Sequence, residues 1–393
     1  MSAAAGRSLA TQLKAQAYAA GFDLAGTARL GAAESADQFD SWLAAGFAGT
    51  MAWMERNADI RRDSSRPAPG MQSALVVGLN YGGTQPTGAV ARYARGGDYH
   101  RVMWDLLDSL GVWLKANSGG EYRSFVDTGP VLERDLARRA GLGWFGKNTT
   151  LINPRLGSFF FIGALFTDQV LEPDAPFEDD RCGTCRRCLD ACPTDALTEP
   201  RVLDSNRCIS YLTIELRDEI PETLRPQMAE LVYGCDICQD VCPWNVRFSR
   251  DASLAAMAPN RTAADPDLAE LLALDNDGYR RRFRGTAITR AKRVGLARNA
   301  AVAMGNRRAP HDVGALASAL MKDPEPLVRA HAAWALGQFA GDQTALGALE
   351  HQLTTEADLA VLREVESALV TLRSRTTASA APAGTVPTAP EQL

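Results

Sequence analysis

The sequence predicts a chain in three folded parts: an α/β (α+β) domain, then a small module built on cysteines, then an all-α repeat. Three observations carry this. Over residues 1–175, short apolar runs alternate with helical periodicity. All eight cysteines fall between Cys182 and Cys242. An alanine-rich segment recurs at a spacing of 32 residues, at 296–305 and 328–337.

The opening helix is marked by Leu9, Leu13 and Ala17 on one face. Ser73–Tyr81 (SALVVGLNY) is apolar throughout, as a buried strand is. Helical periodicity returns over His100–Asn117 through Val102, Leu106, Leu110 and Trp113, and Tyr122–Val126 and Ser158–Thr167 read as further strands. GLGWFG (Gly141–Gly146) has three glycines, but no strand precedes it in the register of a dinucleotide fingerprint. The Pro-containing linker LEPDAPFEDD leads into the cysteine module at 176–250. In 251–375, LARNAAVAMG (Leu296–Gly305) is echoed by VRAHAAWALG (Val328–Gly337) and more weakly by LREVESAL (Leu362–Leu369). Repeats of this length stack into a HEAT-type solenoid, with a plain two- or three-helix bundle as the alternative. The Pro/Ala/Thr-rich stretch 376–393 has the composition of a disordered tail.

Length and composition fit this plan. A chain of 393 residues can hold two or three domains with real cores. Its 46% hydrophobic and 23% charged residues are ordinary for a soluble protein. A net charge of −5 predicts no bulk affinity for nucleic acid. There is no run of about 18 apolar residues for a membrane span. The N-terminal MSAAAGRSLATQLKAQ lacks the apolar core of a signal peptide. A cytoplasmic chain is therefore expected, and its grouped cysteines argue for metal rather than disulfides.

The cysteine spacing is specific. Cys182, Cys185, Cys188 and Cys192 form C-x2-C-x2-C-x3-C-P. Cys235, Cys238 and Cys242 form C-x2-C-x3-C-P, and Cys208 stands between the runs. Eight thiolates serve two 4Fe–4S clusters, as in bacterial-type two-cluster ferredoxins. There the fourth cysteine of a run reaches the other cluster, which assigns Cys182, Cys185, Cys188 and Cys242 to cluster one. Cluster two then takes Cys192, Cys208, Cys235 and Cys238. Zinc is disfavoured, because three ligands within seven residues would crowd one ion and no His accompanies them.

Charge is unevenly distributed. Between Tyr279 and His311 stand ten Arg or Lys and no Asp or Glu. Arg280, Arg281, Arg282, Arg284, Lys292, Arg293 and Arg298 are the candidate phosphate contacts. Tyr99, Trp104 and Trp244 are candidates for stacking an extruded base or for core packing.

These motifs together resemble the epoxyqueuosine reductase family. The resemblance is carried by VDTGPVLERDLARRAGLGWFGKN (Val126–Asn148), GSFFFIG (Gly157–Gly163), CGTCRRCLDACPTDAL (Cys182–Leu197), RCISYLT (Arg207–Thr213) and YGCDICQDVCPWN (Tyr233–Asn245). It implies an oxidoreductase that reduces epoxyqueuosine in tRNA to queuosine, the last step of that biosynthesis. It also implies base-off cobalamin bound between the first domain and the ferredoxin module, an external one-electron donor, and a monomer. Asp127 is implied as proton donor. An unperturbed Asp titrates near about 3.9, and burial between a corrin and a nucleoside would raise that by up to roughly 3–5 pH units. From the residues alone, Asp127 reads as the first position of the turn Asp-Thr-Gly-Pro. The cofactor-binding candidates are Arg61, Asp127, Lys147, Asn148, Thr149, Leu151, Ser210 and Gln239. Asp98-Tyr99-His100 begins like the corrin motif D-x-H-x-x-G but has Met103 in place of Gly, and reads as a chance match. A dehalogenase-like cobalamin reductase and a ferredoxin-type electron-transfer subunit stay open as alternatives.

Overall fold

A computed structural model of the chain describes residues 3–83, 85, 87–258 and 261–380. The chain divides into two compact units: residues 1–220, 231–266 and 275–293, and residues 221–230, 267–274 and 294–393. The expected boundary at 250/251 thus falls inside the first unit, which holds both the N-terminal elements and the cysteine module.

The first unit is built on a four-stranded sheet in the order β1 (Leu24–Arg29), β2 (Ser73–Asn80), β4 (Phe160–Thr167), β3 (Tyr122–Phe125). Every pairing is antiparallel, so the domain is α+β rather than a parallel α/β fold. β2 is buried along its whole length because both faces of the sheet are covered. Gly163 on β4 lies against Met103 and Leu107 of α2 (Tyr99–Ser118). On the opposite face Val76, Ala164 and Phe166 pack with Leu136 and Ala137 of α3 (Glu133–Arg139). That two-sided burial explains the unbroken apolar run, which antiparallel strands normally replace with alternation. The opening helix, α1 (Ala3–Ala20), buries Leu9, Leu13 and Ala17 as its periodicity predicts.

β1 escaped sequence reading because LAGTAR is small and weakly apolar. Its Gly26 has a positional reason: a Cβ there would lie 2.1 Å from the carbonyl oxygen of Ala140, at the end of α3. GLGWFG forms a hairpin strand, with Trp144 opposite Ile152 and Phe145 opposite Leu151. A side chain on Gly143 would collide with the Ile152 carbonyl at 2.2 Å. These glycines serve close backbone approach, not phosphate binding.

The second unit is the repeat. α4 (Lys292–Arg307) enters it, followed by α5 (Val313–Lys322), α6 (Pro326–Leu336), α7 (Gln343–Thr355) and α8 (Leu359–Ala380). The three sequence copies lie on α4, α6 and α8. Gly305 and Gly337, at the same place in successive copies, lie against Ala335 and Ala368 of the next. A Cβ on Gly305 would be 2.8 Å from the Ala335 Cα, and one on Gly337 2.9 Å from the Ala368 Cα. Overpacking of this kind costs about 1–3 kcal/mol, and valine recovers little of that through helix propensity. Gly305→Val is therefore expected to lower the unfolding midpoint in urea, and an unchanged midpoint would refute this close packing. Arg225, buried, pairs with both Glu364 oxygens at 2.7 and 3.1 Å and lies over the Trp334 ring, which ties residues 221–230 into the repeat. The expected tail at 376–393 lies outside the described residues from 381 onward, while α8 continues through 376–380 as helix.

Candidate functional site

The eight thiols gather in two sets of four. A cavity of about 310 Å3 is lined by Cys182, Cys185, Cys188 and, from the other run, Cys242. Burial pushes the Cys188 thiol up to about 11, reinforced by Cys242 and Cys182. The second set is visible in the same way. Cys235 is pushed up to about 12, chiefly by burial, with Cys208 and Cys192 among the groups that raise it. Cys238 is raised by burial and then by Cys235 and Cys208. Buried, mutually repelling thiols are costly to ionise unless a cation compensates them, so they suit a metal cluster that binds thiolate.

Hydrogen bonds to sulfur complete the cradle. Trp144 Nε1 donates to Cys182 Sγ at 3.5 Å, and the Ala196 N–H to Cys192 Sγ at 3.3 Å. Ser210 holds the Cys208 thiol through its backbone N–H and its hydroxyl. Tyr211 reaches the other way, its hydroxyl bonding Thr50 at 2.8 Å. Asn245, just after the second run, accepts the Ser158 N–H at 2.6 Å and donates to the Gln239 carbonyl at 2.8 Å. The cysteine loops are thereby pinned to the start of β4.

Several expected cofactor contacts belong to this frame. Lys147 Nζ donates to the carbonyls of Gly183 and Cys185 at 2.6 and 2.9 Å. Asn148 donates to the Cys238 carbonyl at 3.4 Å and receives the Thr150 hydroxyl. Gln239 is buried and accepts from the Ser158 hydroxyl at 2.9 Å. Leu151 is buried in the core of the sheet domain with Val76, Leu136 and Phe166. The partners of Lys147 and Gln239 lie far off in sequence, so no local pattern announces them.

A second group forms between β3 and α3. Asp127 is exposed there, in the left-handed conformation with φ 52°. The Tyr99 hydroxyl donates to its Oδ2 at 2.7 Å, and its own N–H donates to Glu133 Oε1 at 2.7 Å. A proton carried by Asp127 would therefore reside on Oδ1. Burial and then the neighbouring Asp127 push Glu133 up to about 8. Arg134 is exposed on the same helix, and desolvation lowers its pKa from the ordinary value while Asp127 and Glu133 act against that shift. It donates to the Thr149 carbonyl, and Thr149 is itself left-handed at φ 67°. Buried Arg61 donates to the Trp53 carbonyl at 3.3 Å and lies in the field of Glu133. Arg290 pairs with both Glu215 oxygens at 2.8 and 3.1 Å and lies 5.0 Å above the Trp53 ring. Tyr99 is thus no base-stacking residue: it is buried against Phe161 at 4.1 Å. His100 also stacks on Tyr99 and bonds Asp98 at 2.8 Å. Trp244 packs edge-on against Trp144 at 4.9 Å, while Trp104 is exposed.

The cationic segment splits. Arg280, Arg281, Arg282, Arg284 and Lys292 are exposed and belong to the first unit. Arg293 and Arg298 are buried, which corrects their assignment as phosphate contacts. Arg298 turns its guanidinium to Asn299 at 2.9 and 3.1 Å.

Comparisons with known proteins agree with this architecture. Residues 61–128 match the family model "Epoxyqueuosine reductase QueG, DUF1730", residues 181–245 a 4Fe-4S double cluster binding domain, and residues 284–370 HEAT repeats. The chain is 40% identical over 341 residues to an epoxyqueuosine reductase of Xanthomonas campestris pv. campestris, covering 84% of this chain and 96% of that protein. It superposes with a TM-score of 0.87 and 30% identity on an epoxyqueuosine reductase solved with an epoxyqueuosine-modified tRNA-Tyr stem loop, covering 93% of this chain and 99% of that one. It also superposes, at 0.86 and 30%, on a Bacillus subtilis epoxyqueuosine reductase with its catalytic aspartate loop swung out of the active site, at the same coverage.

Proposed function

This chain belongs to the epoxyqueuosine reductase family, and from that premise we propose that the group around Asp127 is its active site. The enzyme reduces epoxyqueuosine to queuosine in tRNA, using cobalamin and two 4Fe–4S clusters. The observation that carries the site assignment is the placement of the eight thiols and of the hydrogen-bonded Tyr99–Asp127–Glu133 group in one compact unit.

Converting the epoxide to an alkene releases water and consumes two electrons and two protons. Electrons enter singly from a small external carrier. Cluster one uses Cys182, Cys185, Cys188 and Cys242, and cluster two Cys192, Cys208, Cys235 and Cys238. Cobalamin, when bound, would supply a strongly reducing centre. Arg61, Arg134 and Thr149, grouped near Asp127 and Glu133, are the residues that would hold it. Asp127 gives the proton on Oδ1 to the departing oxygen, and substrate closing over this exposed residue excludes water. Arg280, Arg281, Arg282, Arg284 and Lys292 hold tRNA phosphates. No described helix is long and apolar enough to cross a membrane, and we read the enzyme as a cytoplasmic monomer.

Anaerobic assay with epoxyqueuosine-containing tRNA tests the whole reading: product should form only when cobalamin is present, and equal turnover without it would refute the cofactor assignment. The phosphate face has its own test. Replacing Arg280, Arg281 and Arg282 with Ala should weaken tRNA binding and reduce the salt slope by about 1 for each arginine withdrawn from a phosphate, at unchanged iron content. An unaltered salt slope would remove these residues from the interface.

A further inference from the structure

Asp127 stands in a conformation that non-glycine residues seldom hold. An exposed turn has little packing to keep it there. Two bonds from outside the turn do so. Glu133, the first residue of α3, receives the Asp127 N–H and restrains the main chain. Tyr99, packed between Phe161 and His100, donates to Oδ2 and sets the direction of the carboxyl group. Glu133 is faced by Asp127, by Arg61 and by Arg134 of its own helix. Tyr99 and Glu133 lie on different helices, so the two restraints are independent.

We infer that Glu133 and Tyr99 are positioning residues for the reaction: together they clamp the Asp127 turn so that the free carboxyl oxygen, Oδ1, faces the reacting centre. The inference rests on the reading of Asp127 as proton donor. Displacement of a catalytic group by about 1 Å costs on the order of 100-fold in rate.

The test uses the reconstituted holoenzyme, with kcat and tRNA KM measured anaerobically for Glu133→Ala, Glu133→Gln, Tyr99→Phe and Asp127→Asn. Glu133→Ala should lose about 100-fold in kcat, with tRNA KM, iron content and corrin absorbance unchanged. Glu133→Gln keeps an oxygen for the Asp127 N–H and should recover most of that loss. Tyr99→Phe should lose about tenfold. Wild-type kcat in both Glu133→Ala and Tyr99→Phe, with Asp127→Asn inactive, overturns the clamp and leaves the proton donor standing. Equal losses in the Ala and Gln variants overturn the acceptor role of Glu133. Full activity in Asp127→Asn overturns the underlying reading instead. If Glu133→Ala loses its iron, Tyr99→Phe decides, since it removes one oxygen from a ring packed on both faces.

Discussion

Asp127→Asn is expected to lower turnover by about 10²–10⁴-fold, the range a positioned general acid contributes. The amide is the informative replacement. Asn tolerates the left-handed conformation at φ 52° and keeps an oxygen that can accept from Tyr99. What it lacks is the transferable proton. Cluster and corrin spectra and tRNA affinity should match the wild type, so the loss should appear in kcat alone. Alanine would mix this effect with relaxation of the turn, since it has no side-chain acceptor and disfavours positive φ. Turnover near wild type in Asp127→Asn would mean that the proton comes from another group.

Removing Cys208 should abolish turnover by breaking the electron path. Cys208 is the one thiol outside the two runs, and it lies among Cys192, Cys235 and Cys238. Cys208→Ala takes one ligand from cluster two and leaves the four thiols around the 310 Å3 cavity untouched. Iron content should fall from about eight to about four atoms per chain, as expected for one four-iron cluster of two. The surviving signal should be that of a single cluster in electron paramagnetic resonance of the reduced protein. A variant that keeps eight irons would show that Cys208 ligates neither cluster. The same variant with Cys242 replaced instead should lose cluster one, because Cys242 lines that cavity although it lies in the other run.

Both predictions rest on residues that sequence reading had singled out, and the reasons differ. Cysteine spacing is legible because a cube of iron and sulfur forces short, regular intervals on its ligands. The 32-residue repeat is legible because each copy must bury the same face against the next, and Gly305 and Gly337 recur for that reason. The long strands and helices are legible from apolar periodicity. β1 was not, since a glycine chosen for close approach to Ala140 dilutes its apolar pattern.

Site residues divide along the same line. That Asp127 begins a turn is a local fact, carried by Asp-Thr-Gly-Pro. That Tyr99, on a preceding helix, holds its carboxyl is a fact of packing. Lys147 reads as an available cation in sequence, but the first cysteine loop folds its carbonyls onto it. Ten cations between Tyr279 and His311 read as one surface, yet packing around the whole of α4 buries Arg293 and Arg298 while Arg280, Arg281, Arg282 and Arg284 stay exposed.

The amino-acid sequence by itself determined the metal chemistry, the repeat and the family, because each is written in spacings along one stretch of chain. Only the tertiary structure decided which side chains meet at Asp127, which cations are buried and what holds Asp127 in place. Those properties depend on distances between segments far apart in the chain, and burial sets them through the whole fold rather than through any local pattern.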